Sequence, residues 1–97
     1  VTLPIAWRRE AAAEYHEAIR WYADVDPQLA RRFAQAVEYT VVTVSESPLR
    51  FPFVHKNRRR ALVGRFPYGI FFLLEPTRIV VIACFHGKRN PRRWQRR

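Results

Sequence analysis

Seven consecutive residues, Ile79-Val-Val-Ile-Ala-Cys-Phe85, carry no charged or hydrogen-bonding polar side chain beyond one thiol. The chain leaves this run through His86-Gly87 and enters a basic tail that reaches Trp94. A β-strand sends alternate side chains to opposite faces, so an all-apolar strand needs cover on both. This strand is therefore expected in the interior of a sheet, with its C-terminal end held in a fixed place. His86, Lys88 and Arg89 then come to solvent as a rigid cationic group, suited to an anion or to a protein with an acidic face.

A chain of 97 residues has room for one core, so residues 1–97 read as a single domain. Its charge is divided unevenly. Residues 1–47 carry five Arg against seven acids, a balance of −2, whereas residues 48–97 carry thirteen Lys or Arg against Glu75 alone, a balance of +12. A surface of that kind attracts polyanions at long range and releases counterions on binding them. Cys84 is the single cysteine and lies inside the apolar strand, which excludes an intramolecular disulfide and suggests an inert buried thiol. No apolar run approaches the roughly 20 residues needed to span a bilayer, and no signal-peptide pattern opens the sequence. A reducing, cytoplasmic setting without membrane contact is expected.

Residues 2–7 read as a short strand that Pro4 confines to a sheet edge, because proline has no amide hydrogen to donate. Over residues 8–24 the apolar spacing is helical, with Ala12, Tyr15, Ile19 and Tyr22 on one face and Glu10 and Glu14 near the start. Asp26-Pro27 is a cap and first turn for a second helix, whose face carries Leu29, Phe33, Val37, Val41 and Val44. That helix is expected to end near Glu46, since Pro48 disfavours helical geometry at Ser47. Residues 48–57 read as a loop, followed by strands at 58–63, 68–75 and 78–85. The order β-α-α-β-β-β predicts an α+β fold with a helical hairpin packed on an antiparallel sheet. Residues 90–97 fit a short helix or an irregular arm.

Three segments carry a resemblance: the helical hairpin, Phe66-Pro-Tyr68 at the start of one strand, and His86-Gly-Lys-Arg89-x-Pro91-x-x-Trp94 leaving the next. Together they resemble the RelE/ParE superfamily of bacterial type II toxin–antitoxin toxins over essentially the whole chain, with an ending more like the ParE branch. The resemblance implies a toxin that arrests growth and a cognate antitoxin, acidic and folding on binding, that wraps and silences it. It implies DNA gyrase as the target for the ParE branch, or ribosome-bound mRNA cut by a metal-independent endoribonuclease for the RelE branch. A non-toxic nucleic-acid-binding relic of the fold is the third class. No cofactor is implied.

Cleavage of RNA would fall to His86 as acid/base, with Arg65 and Arg89 on the phosphate. Arg89 matches a cation position of the superfamily. Gly69 stands where RelE-like members carry an arginine, and Trp94 and Gln95 stand where they use a tyrosine. Target or nucleic-acid binding would draw on Arg58, Arg60, Arg65, Lys88, Arg89, Arg92, Arg93 and Trp94. Strand alternation sends Arg58 and Arg60 to one side and Arg59 to the other. His86 has a second reading, as a strand-end group that closes the turn before Gly87. Trp94 has one too, as an anchor of the tail on the core. No pair of His or Cys has metal-ligand spacing, so no metal is expected.

Overall fold

The computed structural model describes residues 2–97. Two helices, α1 (Arg9–Val25) and α2 (Pro27–Glu46), lie on one face of a five-stranded sheet. The strands are β1 (Ile5–Trp7), β2 (Phe53–His55), β3 (Arg58–Leu62), β4 (Tyr68–Leu74) and β5 (Ile79–His86), in the spatial order β1-β5-β4-β3-β2. A single 3-10 turn, Pro48–Arg50, follows α2, and a short helix α3 (Arg92–Gln95) ends the chain.

The α+β hairpin-on-sheet architecture is as expected, with two differences in the sheet. Its strands are not all antiparallel, because β1 pairs parallel with β5, Ile5 opposite Ile79 and Trp7 opposite Val81. Apolar periodicity reports which residues are buried but not the direction of pairing, and the helical hairpin returns the chain so that β1 and β5 run alike. The second difference is β2, inside the segment read as a loop. Phe53 pairs with Arg59 and His55 with Arg58 around a Lys56-Asn57 turn in which Lys56 takes a φ of 51°. Without a glycine at that left-handed position the hairpin leaves little trace in the sequence.

Asp26 caps α2 by accepting a hydrogen bond from the Gln28 amide at 3.0 Å, with Pro27 in the first turn. The buried line of α2 runs Ala30, Phe33, Val37, Thr40 and Val44; Leu29 and Val41 are only partly covered. Thr40 tolerates burial because its hydroxyl donates to the Ala36 carbonyl at 2.7 Å. On α1 the buried line is Ala11, Ala18 and Tyr22, flanked by Tyr15 and Ile19, a stripe centred one residue from the expected Ala12. The two alanines hold α1 close to β5, where a larger side chain would lift it.

β5 is buried on both faces from Ile79 to Phe85. Ile79, Val81 and Cys84 join the core under the helices, while Val80, Ile82, Ala83 and Phe85 join a second cluster with Phe71 and Trp94 on the far face. A bulge makes the division: Phe71 faces Ala83 but Phe72 faces Val81, so Ile82 is the extra residue. Trp94 stacks on Phe71 with ring centroids 4.2 Å apart and is 4% exposed, so the tail is the lid of this second core.

Beyond Trp7 the outer edge of β5 has no strand beside it, and two side chains occupy it. Glu14 Oε1 accepts from the Cys84 amide at 3.2 Å, and Arg97 Nη1 donates to the Ile82 carbonyl at 3.0 Å. The two residues grip one another in a bidentate pair, Nη1 to Oε1 and Nη2 to Oε2, each 2.9 Å, with side chains only 14% and 11% exposed. The Arg97 carbonyl also accepts from Arg58 Nη2, which ties the end of the tail to β3.

Two predictions follow from this closure. Glu14→Ala strands both the Arg97 guanidinium and the Cys84 amide, and is expected to lower unfolding stability by about 3 kcal/mol in a urea titration. Tryptic release of the tail should accelerate in the same variant; an unchanged midpoint and cleavage rate would mean that the tail is held by Trp94 alone. The second concerns pH. Burial, and then the nearby Glu14 charge, push the Cys84 thiol up to about 12, against 9.0 for an ordinary thiol. Below pH 9 the thiol is protonated whether the chain is folded or not. Between 9 and 12 the unfolded chain ionises first, so stability falls as pH rises. Tyr15, Tyr22 and Tyr68, each raised chiefly by burial, act in the same direction. Cys84→Ala should flatten this alkaline decline, and the wild-type thiol should resist iodoacetamide at pH 8 until the chain is unfolded.

Candidate functional site

An aromatic cluster fixes the end of β5. Phe33 on α2 lies 5.2 Å from Phe66 and 5.1 Å from Tyr68, and Tyr22 on α1 lies 5.0 Å from Phe33 and 5.3 Å from Phe66. These rings tie the Phe66-Pro67-Tyr68 start of β4 to the helical hairpin. Tyr68 then pairs with His86 across β4 and β5, the two rings edge-on at 5.2 Å. The position of His86 is thus set by packing rather than by a loop.

The turn after His86 is closed by three hydrogen bonds. The Gly87 amide donates to the Pro67 carbonyl at 2.9 Å, and the Arg89 amide donates to the His86 carbonyl at 3.1 Å. The Lys88 amide donates to His86 Nδ1 at 3.0 Å. His86 therefore does close this turn, with Nδ1 as the acceptor and Nε2 left out of it. Arg89 lies 3.8 Å from Glu17 of α1 in an exposed, weak ion pair.

Between this turn and α1 runs a groove of about 470 Å³. One wall is Trp21, Tyr22, Val25 and Leu29; the other is Pro67, Tyr68, His86 and Arg89, with Glu14 and Glu17 along the side. Trp21 is 61% exposed and Val25 63%, which makes the hairpin wall an open apolar ledge. Tyr68 stays a neutral phenol: burial raises its pKa foremost and the Tyr22 neighbour adds to this, against a smaller lowering by Arg89.

The residues predicted from sequence fall into two groups. His86 and Arg89 line the groove, with Lys88 exposed in the adjoining turn. Arg65 is exposed in the turn between β3 and β4, where Gly64 takes the left-handed φ of 48°, and it does not line the groove. The others belong to the sheet face away from the helices. Arg58 is held there by Asn57 Oδ1 at 3.0 Å and by the Arg97 carbonyl, while Arg60, Arg92 and Arg93 are exposed. Arg59 turns to the helical side as alternation predicts, donating to the Phe51 carbonyl at 2.7 Å and lying 3.9 Å over the Phe53 ring. Trp94 is buried beneath the tail, an anchor whose ring is not presented to solvent.

Sequence reasoning missed the hairpin wall of the groove. Trp21 and Val25 sit at i and i+4 outside the main apolar stripe of α1, and that spacing was the available signal. Tyr68 was read as a strand residue and as part of the Phe66-Pro-Tyr68 motif, without a place in the site. Among the described residues, no three His, Cys, Asp or Glu side chains gather as metal ligands, and no helix is long and apolar enough to cross a membrane.

Residues 5–91 match the family model described as the ParE toxin of the type II toxin–antitoxin system parDE. No curated protein sequence matches the chain. Among solved structures, the chromosomal ParDE toxin–antitoxin system from P. aeruginosa shares the fold at a TM-score of 0.76 and 18% identity, over 88% of this chain and 96% of that one. The RelBE2 toxin–antitoxin complex from Mycobacterium tuberculosis does so at a TM-score of 0.62 and 20% identity, over 89% and 99%. At such identities the likeness is one of fold, and the family rests on the model that spans nearly the whole sequence. This chain belongs to the ParE toxin family of type II toxin–antitoxin systems.

Proposed function

We propose that this toxin arrests growth in the cytoplasm by binding DNA gyrase through the exit of β5 and the basic segment beyond it. A cognate acidic antitoxin silences it by folding onto the groove and the helical hairpin. The observation that carries this reading is that the candidate ribonuclease set is not assembled, since Arg65 lies outside the groove that His86 and Arg89 line. Cleaving RNA requires two groups that exchange protons with the attacking and leaving oxygens, and cations around the phosphate. His86 has Nδ1 engaged by the Lys88 amide, Tyr68 is held neutral by burial, and Arg89 is shared with Glu17. Arg65, the third member of a ribonuclease set, lies outside the groove. A rigid rim on an apolar bed suits protein recognition better than it suits acid–base chemistry.

The antitoxin reading draws on the same groove. Its floor is apolar and its ledge exposes Trp21 and Val25, while Arg89 on the rim and Lys88 in the adjoining turn are the cations nearest to an acidic partner seated there. A disordered chain that folds on binding can cover a long, shallow surface of this kind.

The purified toxin is expected to block supercoiling by gyrase while leaving ribosome-bound messages intact. Cutting of translated mRNA that disappears with His86→Ala would overturn the gyrase reading. Trp21→Ala is expected to weaken antitoxin binding by about 2 kcal/mol, roughly thirtyfold, as for a central aromatic anchor. Titration calorimetry with the cognate antitoxin reads this directly, and unchanged affinity would remove the groove from the interface.

A further inference from the structure

The sheet face away from the helices contains an arrangement that the groove does not explain. Gly69 on β4 is buried between Leu62 of β3 and Phe85 of β5. A Cβ at this position would come within 3.1 Å of Arg60 Cγ, 3.2 Å of Arg60 Cδ and 3.1 Å of Phe71 Cε1. The space of the missing side chain is therefore filled by the aliphatic stem of Arg60, crossing diagonally from β3, and by the edge of the Phe71 ring. The other side of Phe71 supports Trp94, which holds α3 and with it Arg92 and Arg93. Arg93 in turn places its guanidinium 6.0 Å above the ring of Phe85, the residue opposite Gly69.

The absent side chain thus leaves room for Arg60, while Phe71 and Trp94 carry Arg93 toward the same row. Arg60 arrives from a strand and Arg93 from the tail, and both approach the Gly69–Phe85 row. Both are exposed, and neither appears in an ion pair among the described residues. The only acid in the second half of the chain, Glu75, is engaged with Arg78 at 2.8 Å. The face is consequently cationic without local compensation.

Its apolar content separates it from the groove. Trp21, Val25, Tyr39 and Val42 expose their side chains on the helices, whereas Leu62 is the exposed large apolar residue in the Arg60 row. A folding acidic protein needs apolar anchors and finds them on the helical side. A phosphodiester backbone needs guanidinium groups held in place, and the far face provides those.

We infer that the sheet face opposite the helices is a sequence-independent binding surface for the nucleic-acid phosphate backbone, with Gly69 positioning Arg60 beside the arginines of α3. The inference shares the arginines of α3 with the segment proposed to bind gyrase but does not rest on that reading, because its test uses the isolated toxin and a DNA duplex with no gyrase present. Binding of a labelled DNA duplex, followed by fluorescence anisotropy over a range of salt, tests it. Arg60→Gln and Arg93→Gln should each reduce the slope of log affinity against log salt by about one. Arg32→Gln, which removes the same charge from the exposed side of α2, should leave the slope near that of wild type. Gly69→Val removes no charge, yet should weaken binding about as much as losing Arg60 does.

Equal effects of Arg60→Gln and Arg32→Gln would mean diffuse attraction only and would overturn the surface. Wild-type affinity for a folded Gly69→Val chain would overturn the positioning role. Should that variant fail to melt cooperatively, Gly69→Ala, which asks only the flexible Arg60 stem and one ring edge to shift, takes its place with the same expectation. Polyglutamate that competes with the duplex as effectively as unlabelled DNA would assign the face to acidic proteins and sink the proposal.

Discussion

The two-sided burial of β5 is the constraint on which the rest of the molecule depends. A strand with seven apolar residues in succession gains from cover on each face and loses if either is wet. The helical hairpin supplies one cover through Ala11, Ala18, Phe33, Val37 and Val44. The other cover is not a second helical layer among the described residues. It comes from the tail, where a single tryptophan on a four-residue helix closes the face over Phe71. The tail crosses the outside of the sheet with Trp94 inward and Arg97 clamped to Glu14, while Arg92, Arg93 and Arg96 stand in water.

The acids of α1 take part in the same economy of surfaces. Glu14 and Glu17 are three residues apart and meet the two ends of the segment that leaves β5, Glu17 at Arg89 and Glu14 at Arg97. Glu14 also satisfies an edge amide of β5, a service that a neighbouring strand would otherwise provide. The acidic helix and the basic second half are therefore partners within the chain before they meet any other molecule. The cations left without such a partner, on the far face and in the turns, are the ones available to a ligand.

What could be read from the sequence was whatever a local pattern dictates. Asp26-Pro27 announced the start of α2, Pro48 its end, and the Arg58-Arg59-Arg60 alternation was kept because strand geometry leaves no choice. The apolar run named β5 as a doubly covered strand. What escaped was set by partners distant in the chain. Glu14 and Arg97 are 83 residues apart, and nothing near either indicates the other. The parallel direction of β1 depends on the path of the whole hairpin, and β2 is three residues long with no glycine in its turn. For the site, the His86 end of β5 was visible because charge follows an apolar run. The facing wall was not, since Trp21 lies on a helix already assigned its buried stripe.

The two surfaces of the toxin obey different physics, and this allows them to be told apart in solution. Binding in the groove would draw mainly on burial of Trp21, Val25 and Leu29, a contribution that salt scarcely weakens and that kosmotropic salts strengthen. Binding on the far face would draw on Arg60 and Arg93 releasing counterions from a polyanion, and would decline steeply over the same range. The sheet lies between them with a packed cluster on each face, so neither ligand need displace the other by contact. Any competition between them would have to pass through the exit of β5, where Arg89 borders the groove and Lys88 stands in solvent one residue away. That turn is the one place where an acidic partner seated on the helices comes within reach of the cations that continue onto the far side.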